Sequence, residues 1–278
     1  MSVLIDAHVH LYPGFSLSAA FDAAWQNFST ASRLQPELGD ADFAMALVEP
    51  GHLDVFESLR SGNLDDSTGE WSVARTNEDN SLVLSHSEKG RMFLICGRQW
   101  VTREDLEILA LFDNSSIDSR KLTCEGVVDL IASNGGLPLL TWGVGKWTGA
   151  RASVIESEIE REPLALLVGD NGNRPGFWKF PALLEKAVSQ GIKLISGSDP
   201  LTLQSHQTRI GTRGSFTTDV SLNPENPAST LKNAMLDSDS RFEEFGSDRP
   251  VTAFFAEQVQ MQWAKQRRKF AGRTSRKH

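Results

Sequence analysis

Residues 5–11, Ile5-Asp6-Ala7-His8-Val9-His10-Leu11, set two histidines two positions apart in an apolar run. In an extended strand alternate side chains share a face, so His8 and His10 point the same way, roughly 7 Å apart along it. At that spacing two imidazoles can converge on one ion. The flanking Leu4, Ile5, Val9 and Leu11 predict a strand buried on both faces, where polar rings are costly unless something satisfies them. Neutral imidazole is the commonest protein ligand of metals, so a bound ion is the expected reason for the pair. Two hydrogen-bonded core histidines are the alternative.

Other polar groups stand where apolar runs end. Glu49 follows Phe43–Val48, Arg98 follows the run ending at Cys96, and Gly143-Val144-Gly145-Lys146 follows Leu137–Trp142. Asp170, Asn171 and Arg174 follow Leu164–Val168, and Asp199 follows Ile192–Ile195. In a barrel of parallel strands such groups collect at the C-terminal face, where barrel enzymes carry their chemistry. For any single position, a turn at a strand end is the plainer explanation. The cations point to a ligand: Arg98, Lys146 and Arg174, with Arg209 and Arg213 beyond, lie on or after strand-end loops of an acidic chain. A guanidinium fork suits carboxylate or phosphate, and the glycine-rich loops present backbone N–H groups to an anion. Arg98, Lys146, Asn171 and Arg174 are therefore the candidate contacts to an anionic small-molecule substrate.

The elements that must position these groups are legible as periodicities. Leu17, Ala20, Phe21, Ala24, Trp25 and Phe28 recur with helical spacing behind the first strand. Phe43–Val48 predicts a second buried strand and His52–Leu59 a short helix. Residues 61–112 differ: loops rich in Asn, Asp, Ser and Gly separate short strands at 71–75, 81–85, 91–96 and 106–111, which predict an antiparallel meander. From residue 124 helices and strands alternate: helices over 125–134, 151–161 and 181–190, strands over 137–142, 164–168 and 192–195. Short βαβ connections predict a parallel sheet. Residues after 200 read as a loop rich in Gly and Arg, then helices near 228–236 and 251–269.

At 278 residues, 40% hydrophobic and 23% charged, the chain is long enough for one α/β barrel. The expected division is one barrel domain over 1–264 and a basic, solvated tail over 265–278, which holds seven Lys/Arg and no acidic residue. The formal charge of −8 argues against general nucleic-acid binding. Cys96 and Cys124 form no pairing or metal-binding pattern, which suits a reducing compartment. There is no basic region followed by a long apolar run, and no apolar run of membrane-spanning length. A cytoplasmic protein with neither membrane nor nucleic-acid partner is the expectation.

Asp6-Ala7-His8-Val9-His10 at one end of the strand series and Ser196-Gly197-Ser198-Asp199 at the other resemble the amidohydrolase and PHP-type metal-dependent hydrolases. The order of elements agrees over residues 3–200, although only the two ends match motifs. The resemblance implies an α/β, TIM-like barrel, distorted and seven-stranded as in the PHP branch, with the meander as an insertion. It implies that the histidines bind a divalent ion and that Asp199 ligates it and takes the proton of the attacking water. Some positions depart from the pattern. Thr141-Trp142 ends its strand without a histidine, Gln99 stands where a carboxylate ligand is expected, and Pro200 follows Asp199 where a histidine is often near. His52 and His206 could reach the site; His86 reads as a surface strand residue. The expected centre is one Zn, Mn or Fe ion held by His8, His10 and Asp199, joined by Glu49 or Asp170. Three protein ligands leave a position for water, which the ion would acidify. The reaction implied is hydrolysis of a phosphoester, or of an amide or ester, in an anionic small molecule. Two alternatives stand beside it: metal-free acid–base chemistry by the same three residues, and a degenerate barrel that binds a ligand or partner without catalysis.

Overall fold

The structure, a computed structural model, describes residues 1–64, 67–161, 165–173, 179–218 and 220–246. Its strands are β1 (Ser2–Val9), β2 (Ala41–Pro50), β3 (Ser72–Arg75), β4 (Ser81–His86), β5 (Gly90–Val101), β6 (Glu107–Leu111), β7 (Leu137–Trp142), β8 (Leu167–Asp170), β9 (Lys193–Leu194), β10 (Arg213–Thr218) and β11 (Glu243–Gly246). Its helices are α1 (Leu17–Leu34), α2 (Val55–Arg60), α3 (Cys124–Ser133), α4 (Ala150–Glu160), α5 (Ala182–Ser189) and α6 (Pro227–Leu236).

Nine strands form one path, in the order β11-β10-β1-β2-β5-β6-β7-β8-β9, with β3 and β4 paired off it beside β5. β1, β2 and β5 run parallel, as do β7, β8 and β9. β3 to β7 pair antiparallel in succession. After β9 the backbone continues between β8 and β1. Ile195 N–H donates to Val168 O (2.8 Å) and Gly197 N–H to Asp170 O (3.2 Å). On the other side Ala7 N–H donates to Ser196 O (3.1 Å) and Asp199 N–H to His8 O (2.9 Å). The sheet is thereby nearly closed into a barrel. It is mixed α/β, as expected.

The core lies on both faces of this sheet. Outside, Leu4, Val9, Leu11, Met45, Leu47 and Leu94 pack with Phe21 and Phe28 of α1. Inside, Val3, Ile5 and Ala7 meet Ala46, Phe93, Leu109, Leu139, Leu167 and Ile195. α1 forms because its apolar residues recur at helical spacing and Ser16 caps it by accepting from Ala19 N–H.

The segment after residue 200 departs from the loop expected there. Arg213–Thr218 is a buried strand paired antiparallel to β1, with β11 at its edge. Its sequence is polar and carries Gly214, so it lacks a strand signal; a Cβ at Gly214 would stand 2.1 Å from Ile5 O, so only glycine lets β10 approach β1. His86 is buried, not a surface residue, and its Nε2 lies 3.1 Å from the Glu70 carboxylate. The helix expected over 251–269 and the tail over 265–278 lie outside the described residues. Among the described residues no helix is long and apolar enough to cross a membrane.

Candidate metal centre

β1 does not alternate regularly. Asp6 pairs with Met45 and Val9 with Leu47, so two residues, Ala7 and His8, stand opposite one, Ala46. This bulge swaps the faces of the strand. Before it, odd positions point inward; after it, Val9 and Leu11 join the outer core, and His8 and His10 turn toward the mouth. Without the bulge both imidazoles would face α1.

The two rings meet tip to tip, with Nε2 atoms 3.0 Å apart. Asp199 Oδ1 lies 3.5 Å from His8 Nε2 and 3.6 Å from His10 Nε2. Among the described residues these three form the one group able to hold a metal ion. Ligands at 2.0–2.2 Å around a tetrahedral ion stand about 3.3–3.6 Å apart, and a triangle with edges of 3.0, 3.5 and 3.6 Å is close to one face of that tetrahedron. The donor set, two imidazoles and a carboxylate, fits Zn, Mn or Fe.

Electrostatics prepare the three for that role. Burial, with His10 alongside, pushes His8 down to about 4 against the pull of Asp199, so its ring is neutral, the ligand form. Burial alone would raise Asp199, but His8, a hydrogen bond from His10 and the Arg209 charge outweigh it and hold the carboxyl below its ordinary range. Thr141 Oγ1 lies 3.4 Å from His8 Nδ1. His10 Nδ1 is buried without a hydrogen-bond partner among the described residues.

The carboxylate is held from behind. Asn171 Nδ2 and Asn173 Nδ2 both donate to Asp199 Oδ2, at 2.7 and 2.9 Å, which leaves Oδ1 toward the imidazoles. Asn171 Oδ1 accepts from Asn173 N–H (3.1 Å), and Gly172, at φ +60°, makes the turn that brings both amides to one side. Asp199 itself has φ +43°, a conformation rare for a residue with a side chain. Asp6 ties the surrounding backbone together. Its buried carboxylate accepts from Ser198 N–H (2.8 Å), Ser198 Oγ (2.5 Å) and Gly211 N–H (2.8 Å), and burial lifts it to about 6. Gly197 lies so close to β1 that a Cβ would stand 2.3 Å from His8 N.

The other expected residues have different work. Glu49 does not join the metal group: it accepts from Val55 N–H (2.5 Å) and Phe56 N–H (3.2 Å), capping α2. Asp170 does not join it either, because it is buried against Arg213 (3.1 Å) and accepts from Gly172 N–H (2.9 Å), building the asparagine turn. Arg98 is turned to Leu53 O (2.6 Å) and Asp54 (3.1 Å), and Lys146 to Glu107 (3.3 Å). Asn171 faces Asp199. Arg174 lies outside the described residues. His52 is exposed. His206 is buried; its Nδ1 accepts from Leu201 N–H (2.9 Å), and burial next to Arg209 pushes it down to about 4. Sequence reasoning missed Asn173 and Tyr12, whose ring centroid is 5.3 Å from that of His10. The Asn-Gly-Asn spacing was the available signal for Asn173; a lone Tyr-Pro-Gly turn held none for Tyr12.

No family model matches this chain, and no curated protein does. Among solved structures it is similar to PsfC from Pseudomonas syringae PB-5123, with TM-score 0.54 at 13% identity over 95% of this chain and 99% of that one. It is also similar to a lesion-specific endonuclease, PfuEndoQ, from Pyrococcus furiosus, with TM-score 0.51 at 11% identity over 89% of this chain and 60% of that one. A two-domain protein from Bacteroides vulgatus ATCC 8482, containing a predicted PHP-like metal-dependent phosphoesterase, matches with TM-score 0.46 at 12% identity over 88% of this chain and 65% of that one. What is shared at these identities is the fold. One expectation is overturned. The net charge of −8 was read as excluding nucleic acid, yet a protein of this fold is an endonuclease. Net charge sums the whole surface, whereas phosphate contacts depend on local cations.

Proposed function

We propose that the chain is a metal-dependent hydrolase acting on a phosphoester. The observation that carries this reading is the triangle of His8 Nε2, His10 Nε2 and Asp199 Oδ1, which has the dimensions of a divalent-ion site at the mouth of a barrel. A divalent ion bound there supplies an acidified water and polarises the phosphoryl group. His8 and His10 present their Nε2 atoms. Asp199 would hold the ion through Oδ1 and take the proton of the attacking water, while Asn171 and Asn173 hold Oδ2. One ion is the number that three ligand atoms support. The finer fold assignment, a seven-stranded ring of β1, β2 and β5–β9 with β3–β4 as the insertion, is supported by the hydrogen bonds of 195–199 to both β8 and β1. The endonuclease neighbour favours phosphoester over amide.

The test is elemental analysis after metal-replete expression, followed by turnover. A near-stoichiometric ion that His8→Ala with His10→Ala abolishes in a folded protein is expected, with hydrolysis of some member of a panel of small phosphoesters and lesion-bearing DNA that Asp199→Asn removes. A metal-free protein overturns the reading. The rival reading, a barrel that binds a ligand without catalysis, is favoured by Thr141 standing where a further histidine would complete a larger cluster. It requires ligand-dependent thermal stabilisation with no turnover.

A further inference from the structure

Several cations of the described residues have carboxylate partners. Arg98 pairs with Asp54 at 3.1 Å, Arg213 with Glu244 at 2.7 Å and Asp170 at 3.1 Å, Arg161 with Asp129 at 2.8 Å, and Lys146 with Glu107 at 3.3 Å. Arg209, beside the candidate centre, has none. Its guanidinium contacts two neutral groups, His206 Nδ1 at 3.1 Å and Asn173 Oδ1 at 3.4 Å, and no carboxylate of the described residues lies within salt-bridge distance. The side chain is partly buried. Arginine keeps its proton in proteins, so this charge persists and lacks a direct counter-ion.

Its position is informative. The Asn173 carboxamide accepts from Arg209 on its oxygen and donates to Asp199 Oδ2 from its nitrogen, at 2.9 Å. The guanidinium therefore stands one carboxamide away from the candidate metal centre. It is also fixed there. Asn27 Nδ2, on α1, donates to Thr208 O (3.0 Å) and Ile210 O (2.8 Å), the carbonyls on either side. Gln207 Oε1 accepts from Ser16 N–H (2.8 Å), and Asp6 accepts from Gly211 N–H (2.8 Å). A cation pinned on both flanks and left without a carboxylate is a preorganised receptor for an anion.

We propose that Arg209 binds the non-bridging oxygens of the substrate's phosphoryl group and is the specificity-determining cation of the site, the role expected earlier for Arg98 and Lys146. This rests on the phosphoester reading above. Binding would give the guanidinium the oxyanion partner it lacks, and would set the phosphorus beside Asp199 and the two imidazoles. The anion could come from a small phosphomonoester or from a nucleic-acid backbone, since both offer the same oxygens.

The test uses the full chain and inorganic phosphate as probe, titrated calorimetrically into metal-loaded and chelator-treated protein. Arg209→Gln is expected to weaken phosphate binding at least tenfold in both states, with metal uptake unchanged, and Arg209→Lys to recover part of the loss. Phosphate affinity within twofold of the parent in Arg209→Gln overturns the proposal, as does a parent that binds no phosphate. If Arg209→Gln fails to fold, Arg209→Lys decides: it keeps the charge but loses the fork, so an affinity reduced several-fold supports the proposal and an unchanged one overturns it. Competition against bound phosphate identifies the source. Displacement by p-nitrophenyl phosphate supports a small substrate, displacement by a short DNA duplex alone supports a backbone, and displacement by neither overturns the proposal. The two readings fail separately. Protein without metal but with Arg209-dependent phosphate binding sinks the hydrolase and keeps the anion site, whereas metal uptake with Arg209-independent phosphate binding does the reverse.

Discussion

Removal of the amide behind Asp199 is the sharpest probe of the centre. In Asn171→Ala the shorter of two hydrogen bonds to Oδ2, at 2.7 Å, disappears and the 2.9 Å bond from Asn173 remains. A hydrogen bond to a charged group is worth about 1.5–3 kcal/mol. Two consequences oppose each other: the carboxylate becomes a stronger donor, but it is free to rotate Oδ1 away from the imidazoles. Orientation should dominate, because the centre needs one oxygen within a triangle whose longest edge is 3.6 Å. Loss of an outer hydrogen bond of this kind typically costs 10–100-fold in metal affinity, or about 1.4–2.8 kcal/mol. Asn171→Ala should therefore weaken Zn or Mn binding by roughly that factor. Adding Asn173→Ala should cost less than a second such factor, because both amides serve the same oxygen. Affinity is measured by competition with a chromophoric chelator, and the visible bands of the Co(II) form report the coordination. An affinity within twofold of the parent, with Co(II) bands unmoved, would refute the idea that the amides orient Asp199.

Gly197→Ala would set a Cβ 2.3 Å from His8 N and 2.5 Å from His8 Cβ, neither of them able to yield like a flexible side-chain end. We expect a loss of at least about 3 kcal/mol, the top of the usual overpacking range, read as a fall in Tm of about 6–12 °C. Glu49→Ala removes the acceptor of two α2 N–H groups; it should lower stability by about 1–2 kcal/mol while metal content stays at the parent level, and a parallel loss of metal would return Glu49 to the ligand set. For pH, His206 lies at about 4 folded against 6.5 for the ordinary side chain. The folded state rejects the proton, so the stability His206 contributes is complete above pH 6.5 and is lost as pH falls from there toward 4. The loss is at most about 3 kcal/mol, and His206→Gln should flatten that part of the denaturation profile; superimposable slopes for the two proteins would count against a neutral, buried His206.

Much of the fold was legible because its signals are local. α1 and α3 appear where apolar residues recur at helical spacing, and the strands from 71 to 111 appear between clusters of turn residues. β10 and β11 were not legible: Arg213-Gly214-Ser215-Phe216 has no strand periodicity and is extended because β1 offers it an edge. The candidate site divides in the same way. His8, His10 and Asp199 could be picked out by residue type and position. The reassignment of Glu49 to a helix cap, and of Arg98, Lys146 and Asp170 to ion pairs, depends on partners brought in by folding.

The sequence by itself determined that two imidazoles stand on one side of an extended first strand and that a carboxylate follows the last strand of the parallel series. Only the tertiary structure decided which side that was. The bulge at Ala7–His8 turns the rings from the α1 face to the mouth, and Gly197 lets 195–199 approach β1 closely enough for Asp199 to reach them. The physical reason is that side-chain alternation is a property of one strand. The count of residues opposite each partner, and the closeness of two backbones, exist only once the strands are paired.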